Sequence, residues 1–316
     1  MQTLEVIAPA KINLILSVLD RRPDGYHNIW SLMQMLELHD SLLLSCDLTT
    51  GACEAIDAYQ NPLSITLECD DALLPSNEEN LVYRAARAVM KKAGVQPKLH
   101  IRIIKRIPIA AGLGGGSSDA AATIHALNRL LNLGWGNVEC ALLGAEIGSD
   151  VPFFSHGPTS IVRGEGSEVF PVTIETSQWI VLVKPPFDIS TAWAYEHLDK
   201  WRASQGEESR FTQEEAVQTF LQSPRLAEDL NPYCWNAFEE IMEEQFPLLA
   251  VIRQEHYDLG AHLAMLSGSG STVFGVYPSK ECATAAEKRF KTYDNYQAWI
   301  TKTKASPSFL KDKPTG

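Results

Sequence analysis

The stretch that decides the fold reads Pro108-Ile109-Ala110-Ala111-Gly112-Leu113-Gly114-Gly115-Gly116-Ser117-Ser118-Asp119-Ala120-Ala121. An alternating strand pattern over 98–107 precedes it, and an alanine-rich helix pattern over 120–131 follows. Unpaired N–H groups collect at a helix start, where the helix dipole is positive, and glycines let a phosphate approach the backbone. We therefore predict an anion site here, with the hydroxyls of Ser117 and Ser118 as hydrogen-bond donors or helix caps.

The spacing of this loop excludes the two commonest nucleotide-binding loops. No Gly-Lys-Ser/Thr follows it, as a Walker A element requires, and Ser117 stands where the last glycine of G-x-G-x-x-G would be. A flexible turn before a capped helix is the alternative interpretation. Four glycines in five positions, 112–116, favour the anion site over that alternative.

A lysine lies inside the first strand pattern, 4–19. The two-residue period places Lys11 and Asn13 on one face of that strand. An ammonium group in an apolar strand is costly unless it is paired or reaches solvent along its stem. Asp150, in a turn after a helix pattern, is the candidate partner. The alternatives are that Lys11 reaches solvent at a sheet edge and that Asp150 only caps its own turn.

The remaining patterns predict an α+β fold, because strands and helices are grouped rather than strictly alternating. Strands are expected at 4–19, 29–44, 65–69, 98–107, 179–184 and 273–277. Helices are expected at 81–92, 120–131, 138–147, 212–221, 235–244 and 280–291. We place a domain boundary among the glycines near 157–166, which gives domains of residues 1–160 and 161–316. The polar segment 200–209 is expected to be an exposed loop, and the tail after Lys304 to be loose.

Composition narrows the class of protein. The 316 residues carry 27 Lys and Arg against 39 Asp and Glu, so the net charge of −12 disfavours nucleic acid as a partner but allows a local anion site. No basic leader or apolar run of roughly 18 residues appears, which predicts a cytoplasmic protein without a membrane partner. We expect a monomer or weak homodimer. The six cysteines, spaced too far apart for a zinc site or a disulfide framework, are Cys46, Cys53, Cys69, Cys140, Cys234 and Cys282.

Several segments together resemble the GHMP small-molecule kinase superfamily. Its three motifs are matched by Pro9-Ala10-Lys11-Ile12-Asn13-Leu14, by the glycine-rich stretch, and by Leu266-Ser267-Gly268-Ser269-Gly270-Ser271-Thr272-Val273-Phe274. Three further segments resemble one branch more narrowly, the kinases of a diphosphocytidyl-linked methylerythritol in the non-mevalonate isoprenoid pathway. They are Arg22-Pro23-Asp24-Gly25-Tyr26-His27, Asn80-Leu81-Val82-Tyr83-Arg84-Ala85-Ala86 and Gly148-Ser149-Asp150-Val151-Pro152-Phe153-Phe154. Segments 46–63, 200–232 and the tail show no family pattern.

The resemblance implies a two-domain GHMP kinase fold, with a ribosomal-protein-S5-like N-terminal domain, a ferredoxin-like C-terminal domain and the active site between them. It implies transfer of the γ-phosphoryl group of ATP, with Mg²⁺, to the 2-hydroxyl of the cytidine-diphosphate-linked substrate. Lys11 and Asp150 would be the catalytic pair, and the stretch from Pro108 to Ser118 would wrap the ATP phosphates. Residues 268–270 would close on the site from the second domain. We assign no side chain as a metal ligand.

The resemblance also suggests how the acceptor is held. Tyr26 and His27 would stack on and hydrogen-bond a cytosine, Tyr195 would be the second aromatic flank, and Asn13 would contact the methylerythritol hydroxyls. Two other functions stay open. One is a GHMP kinase for homoserine, mevalonate or a sugar, which the element 24–27 disfavours. The other is a nucleotide-binding sensor without catalysis, which the presence of both Lys11 and Asp150 disfavours.

Overall fold

A computed structural model describes residues 1–47, 64–174, 177–205, 214–221, 227–306 and 308–309. Within these residues, two β-sheets carry the fold. The strands of the larger sheet are β1 (Gln2–Arg21), β2 (His27–Asp47), β3 (Ile65–Cys69), β4 (Lys98–Ile104), β5 (Thr159–Gly164), β6 (Glu168–Pro171) and β8 (Trp235–Asn236). The strands of the smaller sheet are β7 (Trp179–Lys184), β9 (Leu263–Leu266), β10 (Val273–Tyr277) and β11 (Gln297–Lys302).

The strand order shows how the chain passes between the sheets. The larger sheet runs β3-β4-β2-β1-β8, and β5 joins it by pairing with β2 and β6. The smaller sheet runs β11-β7-β10-β9, and its neighbouring strands are antiparallel. Helices before β9 and after β10 give the smaller sheet the β-α-β-β-α-β order of a ferredoxin-like unit. The α+β prediction is confirmed.

Nine α-helices are described. They are α1 (Leu81–Ala93), α2 (Gly115–Leu130), α3 (Asn137–Ala145), α4 (Val151–His156), α5 (Thr191–Gln205), α6 (Glu214–Leu221), α7 (Glu239–Gln245), α8 (Leu248–Asp258) and α9 (Lys280–Phe290). A 3-10 helix spans Ala227–Tyr233. No helix in this described part of the chain is both long and apolar enough to cross a membrane.

The described side chains pack in three apolar layers. The first lies between the larger sheet and α1 to α4, and the second between the smaller sheet and α5, α7, α8 and α9. The third lies between the two sheets, where Ile12 and Leu14 of β1 share a cluster with Leu182 and Phe274. Because β7 alternates, Val181 and Val183 face the helices while Leu182 faces the larger sheet. The central part of β1 therefore lies between the two halves of the molecule.

Helix α2 begins earlier than its sequence pattern predicts. Gly114 has φ of +69°, and the backbone N–H of Ser118 donates to the carbonyl of Gly114 at 2.9 Å. The last residues of the glycine stretch thus form the first turn of the helix. No side chain caps this end, so the predicted capping role of Ser117 and Ser118 is wrong and Gly114 occupies the cap position.

The predicted helix 235–244 is partly wrong. Trp235 and Asn236 form the short strand β8, which pairs with β1, and the helix starts only at Glu239. The backbone N–H of Ala237 donates to the carbonyl of Leu16 at 2.8 Å, which holds this segment against β1. A long-range backbone contact has replaced the local helical preference.

Several other predictions concern residues near the limits of the part of the chain that the structure describes. Residues 200–205 belong to α5 and not to an exposed loop, whereas 206–209 lie outside the described residues. The segment 48–63 and the tail 310–316 also lie outside them. Before that tail, Phe309 is buried, and its carbonyl accepts from the N–H of Ile7 at 2.8 Å. The domain division between residues 160 and 161 stays a prediction, and strand pairing carries the larger sheet on to Pro171.

Candidate active site

A cavity of about 450 Å³ opens where the two halves of the molecule meet. Residues 108–117 of the glycine-rich stretch form one wall, and Gly268 and Ser269 lie opposite. Lys11, Asn13 and Asp150 are among the charged and polar side chains that line the cavity. Ser118 lies beneath the wall and is fully buried. The structure thus brings most of the predicted site residues to one cavity.

The glycines of the loop are required by the protein that surrounds them. A Cβ atom on Gly114 would lie 2.9 Å from Cγ of Lys11 and 3.1 Å from Cζ of Phe154. A Cβ atom on Gly112, where φ is +72°, would collide with the carbonyl oxygen of Ser267. The absence of side chains lets the loop pack directly on Lys11 and on the segment after β9. The sequence suggested only that they let a phosphate approach.

The start of α2 provides the donors for an anion. The first intrahelical bond is that of Ser118, so the N–H groups of residues 115–117 have no partner within the helix. Their dipoles point out of the helix end into the cavity wall. This geometry suits a di- or triphosphate.

Strand β1 presents Lys11 and Asn13 between two irregularities. Its register with β2 shifts between Pro9 and Lys11 and again between Asn13 and Ile15. The Lys11 ammonium donates to Oδ1 of Asn13 at 2.6 Å, which confirms that the two side chains share a face. The amide of Asn13 donates in turn to Oγ of Ser31 at 2.9 Å. Bulges commonly occur beside functional sites, where they reorient side chains.

Lys11 and Asp150 meet in the structure. Nζ of Lys11 lies 4.0 Å from Oδ2 of Asp150, with side-chain exposures of 5% and 33%. Burial lowers the pKa of Lys11, and the nearby Asp150 charge opposes that effect. Asp150 precedes α4 at the cap position, yet its side chain makes no capping hydrogen bond. The local capping alternative is therefore wrong, and the carboxylate lies at the cavity.

The third glycine motif closes over Lys11 from the second domain. A Cβ atom on Gly268 would lie 3.3 Å from Nζ of Lys11, and Oγ of Ser267 donates to the carbonyl of Gly112 at 3.0 Å. The amide of Asn236 donates to the carbonyls of Leu266 at 2.8 Å and Gly268 at 2.9 Å. Sequence reasoning missed Asn236, because nothing in its local sequence distinguishes it from an ordinary polar residue.

A second charged cluster lies under the start of α2. Nζ of Lys105 lies 2.5 Å from Oδ2 of Asp40 and 2.8 Å from Oδ2 of Asp119. Burial raises the pKa of Asp119 to about 8, although the Lys105 charge opposes the shift. One lysine thus contacts two buried carboxyl groups. Lys105 and Asp119 both reach the cavity wall, and sequence reasoning missed both.

Tyr195 and Phe238 are aromatic residues of the cavity wall, whereas His27 is not part of it. Tyr195 forms part of the wall, and its ring stacks on His27 with centroids 5.1 Å apart. Burial raises the pKa of Tyr195. His27 is buried, and its Nε2 lies 2.8 Å from Oδ1 of Asp199. Tyr26 is 62% exposed, and the described cavity wall does not include it.

The described residues contain no group of three His, Cys, Asp or Glu side chains that could hold a metal. Ser117 and Asp150 nevertheless place a hydroxyl and a carboxylate at the same cavity wall as the free N–H groups of residues 115–117. Mg²⁺ prefers such oxygen donors, usually one or two from the protein together with substrate phosphates. The donor set fits a magnesium ion bound mainly through nucleotide phosphates.

Two family models match the chain. The GHMP kinases N terminal domain matches residues 80–158, and the GHMP kinases C terminal domain matches residues 216–295. The first match contains the glycine loop and Asp150, and the second contains Asn236 and the third glycine motif.

Full-length relatives resemble the chain over nearly all of its length. A 4-diphosphocytidyl-2-C-methyl-D-erythritol kinase of Thermodesulfovibrio yellowstonii is 38% identical, over 94% of this chain and 97% of the relative. One of Syntrophotalea carbinolica is 37% identical, over 93% and 96%. A crystal structure of 4-(cytidine 5'-diphospho)-2C-methyl-D-erythritol kinase has a TM-score of 0.74 and 31% identity, and the match covers 96% of this chain and 100% of that one. A mevalonate kinase, with a TM-score of 0.67 and 14% identity over 96% and 99%, shares the fold.

Proposed function

The chain belongs to the family of 4-diphosphocytidyl-2-C-methyl-D-erythritol kinases within the GHMP kinases, and from this premise we propose the reaction that it catalyses. It transfers the γ-phosphoryl group of ATP to the 2-hydroxyl of 4-diphosphocytidyl-2-C-methyl-D-erythritol. The products are ADP and the 2-phosphate of that substrate, an intermediate of the non-mevalonate isoprenoid pathway.

The proposal rests mainly on the geometry of two side chains. The Lys11 ammonium and the Asp150 carboxylate lie 4.0 Å apart, in a cavity where the glycine loops of both domains meet. A donor phosphate held at the start of α2 and an acceptor hydroxyl held beside Asp150 would share that cavity. Phosphoryl transfer depends mainly on such positioning and on neutralisation of charge.

The nucleotide would bind along the glycine-rich stretch. Its phosphates would accept hydrogen bonds from the N–H groups of residues 115–117. Leu74, Pro75 and Leu81 also line the cavity, and their apolar surface would suit a purine base. Mg²⁺, held by the phosphates with Ser117 or Asp150, would neutralise charge on the β- and γ-phosphates.

Lys11 and Asp150 would act on the acceptor hydroxyl. The oxygen of this hydroxyl forms the new bond to the γ-phosphorus as the bond from that phosphorus to the β-phosphate oxygen breaks. The hydroxyl proton passes to a carboxylate oxygen of Asp150, and the electron pair of the broken bond leaves with ADP. Asn13 fixes the Lys11 ammonium at 2.6 Å, so its charge faces the transferred group without reorganisation.

The cytidine end would lie at the aromatic part of the cavity. Tyr195 lines the cavity and would contact the base, and stacking on an aromatic ring stabilises a bound base by about 1–3 kcal/mol. His27, stacked against Tyr195, offers hydrogen-bonding groups. The exposed ring of Tyr26 would cover the other face of the base, and Asn13 would contact the methylerythritol hydroxyls.

A substrate panel tests the proposal. The purified protein is given Mg·ATP with the cytidyl substrate, homoserine or mevalonate, and ADP release is measured. We expect ADP release with the cytidyl substrate and its loss in Asp150→Asn. Release driven by homoserine or mevalonate would instead support another GHMP kinase. ATP binding without turnover on any acceptor would support a nucleotide-binding sensor.

A further inference from the structure

The last strand of the smaller sheet leads directly into the third glycine motif. Strand β9 ends at Leu266, and β10 is its neighbour on one side. Away from β10, the N–H of Leu266 donates to Oε2 of Glu239 at 2.9 Å, and the carbonyl of Leu266 accepts from the amide of Asn236 at 2.8 Å. The segment 236–239 therefore binds backbone groups that an edge strand would otherwise leave open.

This segment is fixed to the first domain just before it reaches Glu239. Strand β8 pairs with β1 at Ile15 and Leu16, a few residues after Lys11 on the same strand. Glu239 then follows as the first residue of α7. One short segment thus joins the strand that carries Lys11 to the strand that enters the third glycine motif.

The two carboxylate oxygens of Glu239 have separate partners. Nε of Arg253 lies 3.5 Å from Oε1, whereas Oε2 accepts the hydrogen bond from Leu266. The guanidinium of Arg253 also donates to Glu243, with Nη2 at 2.8 Å from Oε2 of that residue. The charge of Glu239 and its hydrogen bond to the motif can therefore be changed independently.

The motif has little room on the side of the first domain. A Cβ atom on Gly268 would lie 3.3 Å from Nζ of Lys11 and 3.2 Å from the carbonyl oxygen of Gly112. Movement in the other direction would stretch the contacts of Leu266 with residues 236–239, because β8 holds that segment to β1. The distance between Gly268 and Lys11 is thus limited from both directions.

We infer that Glu239 is a positioning residue for phosphoryl transfer. By accepting the N–H of Leu266, it keeps Gly268 and Ser269 close to Lys11 and so maintains the position of the ammonium group. Glu239 does not line the cavity, so it acts through the glycine motif and not on the substrate. The inference rests on the proposed function, because it takes Lys11 as part of the catalytic pair.

Two substitutions of Glu239 separate the hydrogen bond from the charge. Glu239→Gln removes the charge but keeps a side-chain oxygen that can accept from Leu266. Glu239→Asp keeps the charge but withdraws both oxygens by one methylene group. The matched control is Glu243→Gln, which removes the other negative charge at Arg253 and leaves the bond to Leu266 in place.

Steady-state kinetics with Mg·ATP and the cytidyl substrate give the first measurement. We expect kcat to fall about tenfold or more in Glu239→Asp, because small displacements of positioned groups have effects of that size. Glu239→Gln and Glu243→Gln should keep at least about half of the parental kcat, since both retain the acceptor. The KM for ATP should be unchanged in all three, because the proposed phosphate site at residues 115–117 belongs to the first domain.

A double variant tests whether Glu239 acts through Lys11. In the Lys11→Met protein, Glu239→Asp should lower kcat by no more than about twofold, since the group that it positions is already absent. A fall as large as in the parent would show a general structural effect and overturn the inference. Full kcat in Glu239→Asp with a loss in Glu239→Gln would show that the charge matters and the hydrogen bond does not, which would also overturn it.

Hydrogen exchange of the free proteins tests the positioning without substrate. The amides of residues 266–270 should exchange faster in Glu239→Asp than in the parent, and at the parental rate in Glu239→Gln. Equal rates in all the proteins would overturn the inference. An active parent with unchanged kcat in Glu239→Asp removes only this inference, whereas a parent that does not use the cytidyl substrate removes the proposed function as well.

Discussion

At the scale of the residue, the site depends on a buried lysine whose charge has several partners. Burial lowers the pKa of Lys11, while the carboxylate of Asp150 favours the charged form. The Oδ1 atom of Asn13 accepts one of its hydrogens at 2.6 Å. An ammonium group held this way can face a phosphoryl group in a fixed position, because its other contacts already prevent it from moving away.

Substitution of Lys11 or Asp150, the proposed catalytic pair, should remove most turnover without unfolding the protein. We expect Lys11→Met and Asp150→Asn each to lower kcat by about 10²–10⁴-fold, the range for loss of a positioned acid or base. The double variant should be little worse than the poorer single one, because the two groups act on the same hydroxyl. Steady-state kinetics measure the effect. Lys291→Met, which removes an exposed lysine paired with Glu287, is the control. Asp150→Asn with more than half of the parental kcat would contradict the assignment.

Gly114→Ala should disturb the site beyond the ordinary effect of replacing a glycine. Gly94 provides the matched control, because its φ of +66° resembles the +69° of Gly114 but a Cβ atom there meets nothing within 4 Å. Both variants should lose about 1–2 kcal/mol of stability to the left-handed backbone. Only Gly114→Ala forces Lys11 to move, so only it should lower kcat/KM for ATP, by about tenfold or more. Thermal unfolding of both variants measures the backbone strain, and steady-state kinetics measure the effect on the active site. Equal kcat/KM values for ATP in the two variants would contradict a specific role of Gly114 at the site.

At the scale of the element, local sequence predicted well where local interactions decide the structure. Helix α1 has its cap at Asn80, its closing glycine at Gly94 and buried positions spaced three and four apart, and it lies within one residue of its predicted end. Strands β3, β7 and β10 also match their predicted bounds. Sequence reasoning failed at 235–238, where partners from β1 and from residues 266–268 determine the conformation.

Asn236→Ala should weaken the attachment between β8 and the third glycine motif. The substitution leaves the buried carbonyls of Leu266 and Gly268 without the amide that donates to them. An unsatisfied buried polar group costs about 1–3 kcal/mol, so the free energy of unfolding should fall by at least that amount. Urea unfolding measures it. Asn28→Ala, which removes an exposed bond to Asp20, should change stability by no more than about 0.5 kcal/mol. Equal effects of the two substitutions would contradict this structural role.

At the scale of the whole molecule, the sequence predicted many of the residues that form the site but not the packing that brings them together. The strand period placed Lys11 beside Asn13, and the motifs selected Asp150. The contact between Lys11 and Asp150 depends on how α2 packs on β1 and α4 packs on α2, which no local pattern contains. Sequence reasoning also missed Asp199. Its position four residues after Tyr195, on the same face of α5, was a weak indication that the two side chains lie near each other. Lys105 pairs with Asp40, 65 residues away, and with Asp119, 14 residues away, and nothing in the local sequence indicated either pairing.

The stability of the second domain should depend on pH through a buried histidine. His256 of α8 is fully buried, its Nδ1 lies 2.9 Å from the hydroxyl of Tyr277, and burial lowers its pKa to about 3. The unfolded chain takes up a proton near pH 6.5, whereas the folded protein stays unprotonated until about pH 3. Since the unfolded state binds more protons in that window, stability is full above it and falls as the pH decreases.

The expected slope from His256 is up to about 1.4 kcal/mol per pH unit between these values. His256→Gln removes the titrating ring, and Tyr277→Phe is the control that removes the same hydrogen bond but keeps the histidine. Urea unfolding from about pH 4 to about pH 7 gives the difference in stability between each variant and the parent. Asp119, whose raised pKa of about 8 makes its own contribution to stability disappear as the pH rises, is common to all three proteins and cancels in these differences.

The stability difference between His256→Gln and the parent should shrink steadily as the pH falls below 6.5, because only proteins that keep the histidine lose its contribution. For Tyr277→Phe it should stay nearly constant. A constant difference for His256→Gln would show that the folded and unfolded states take up that proton alike, and the burial of this ring would then not determine the acid sensitivity of the domain.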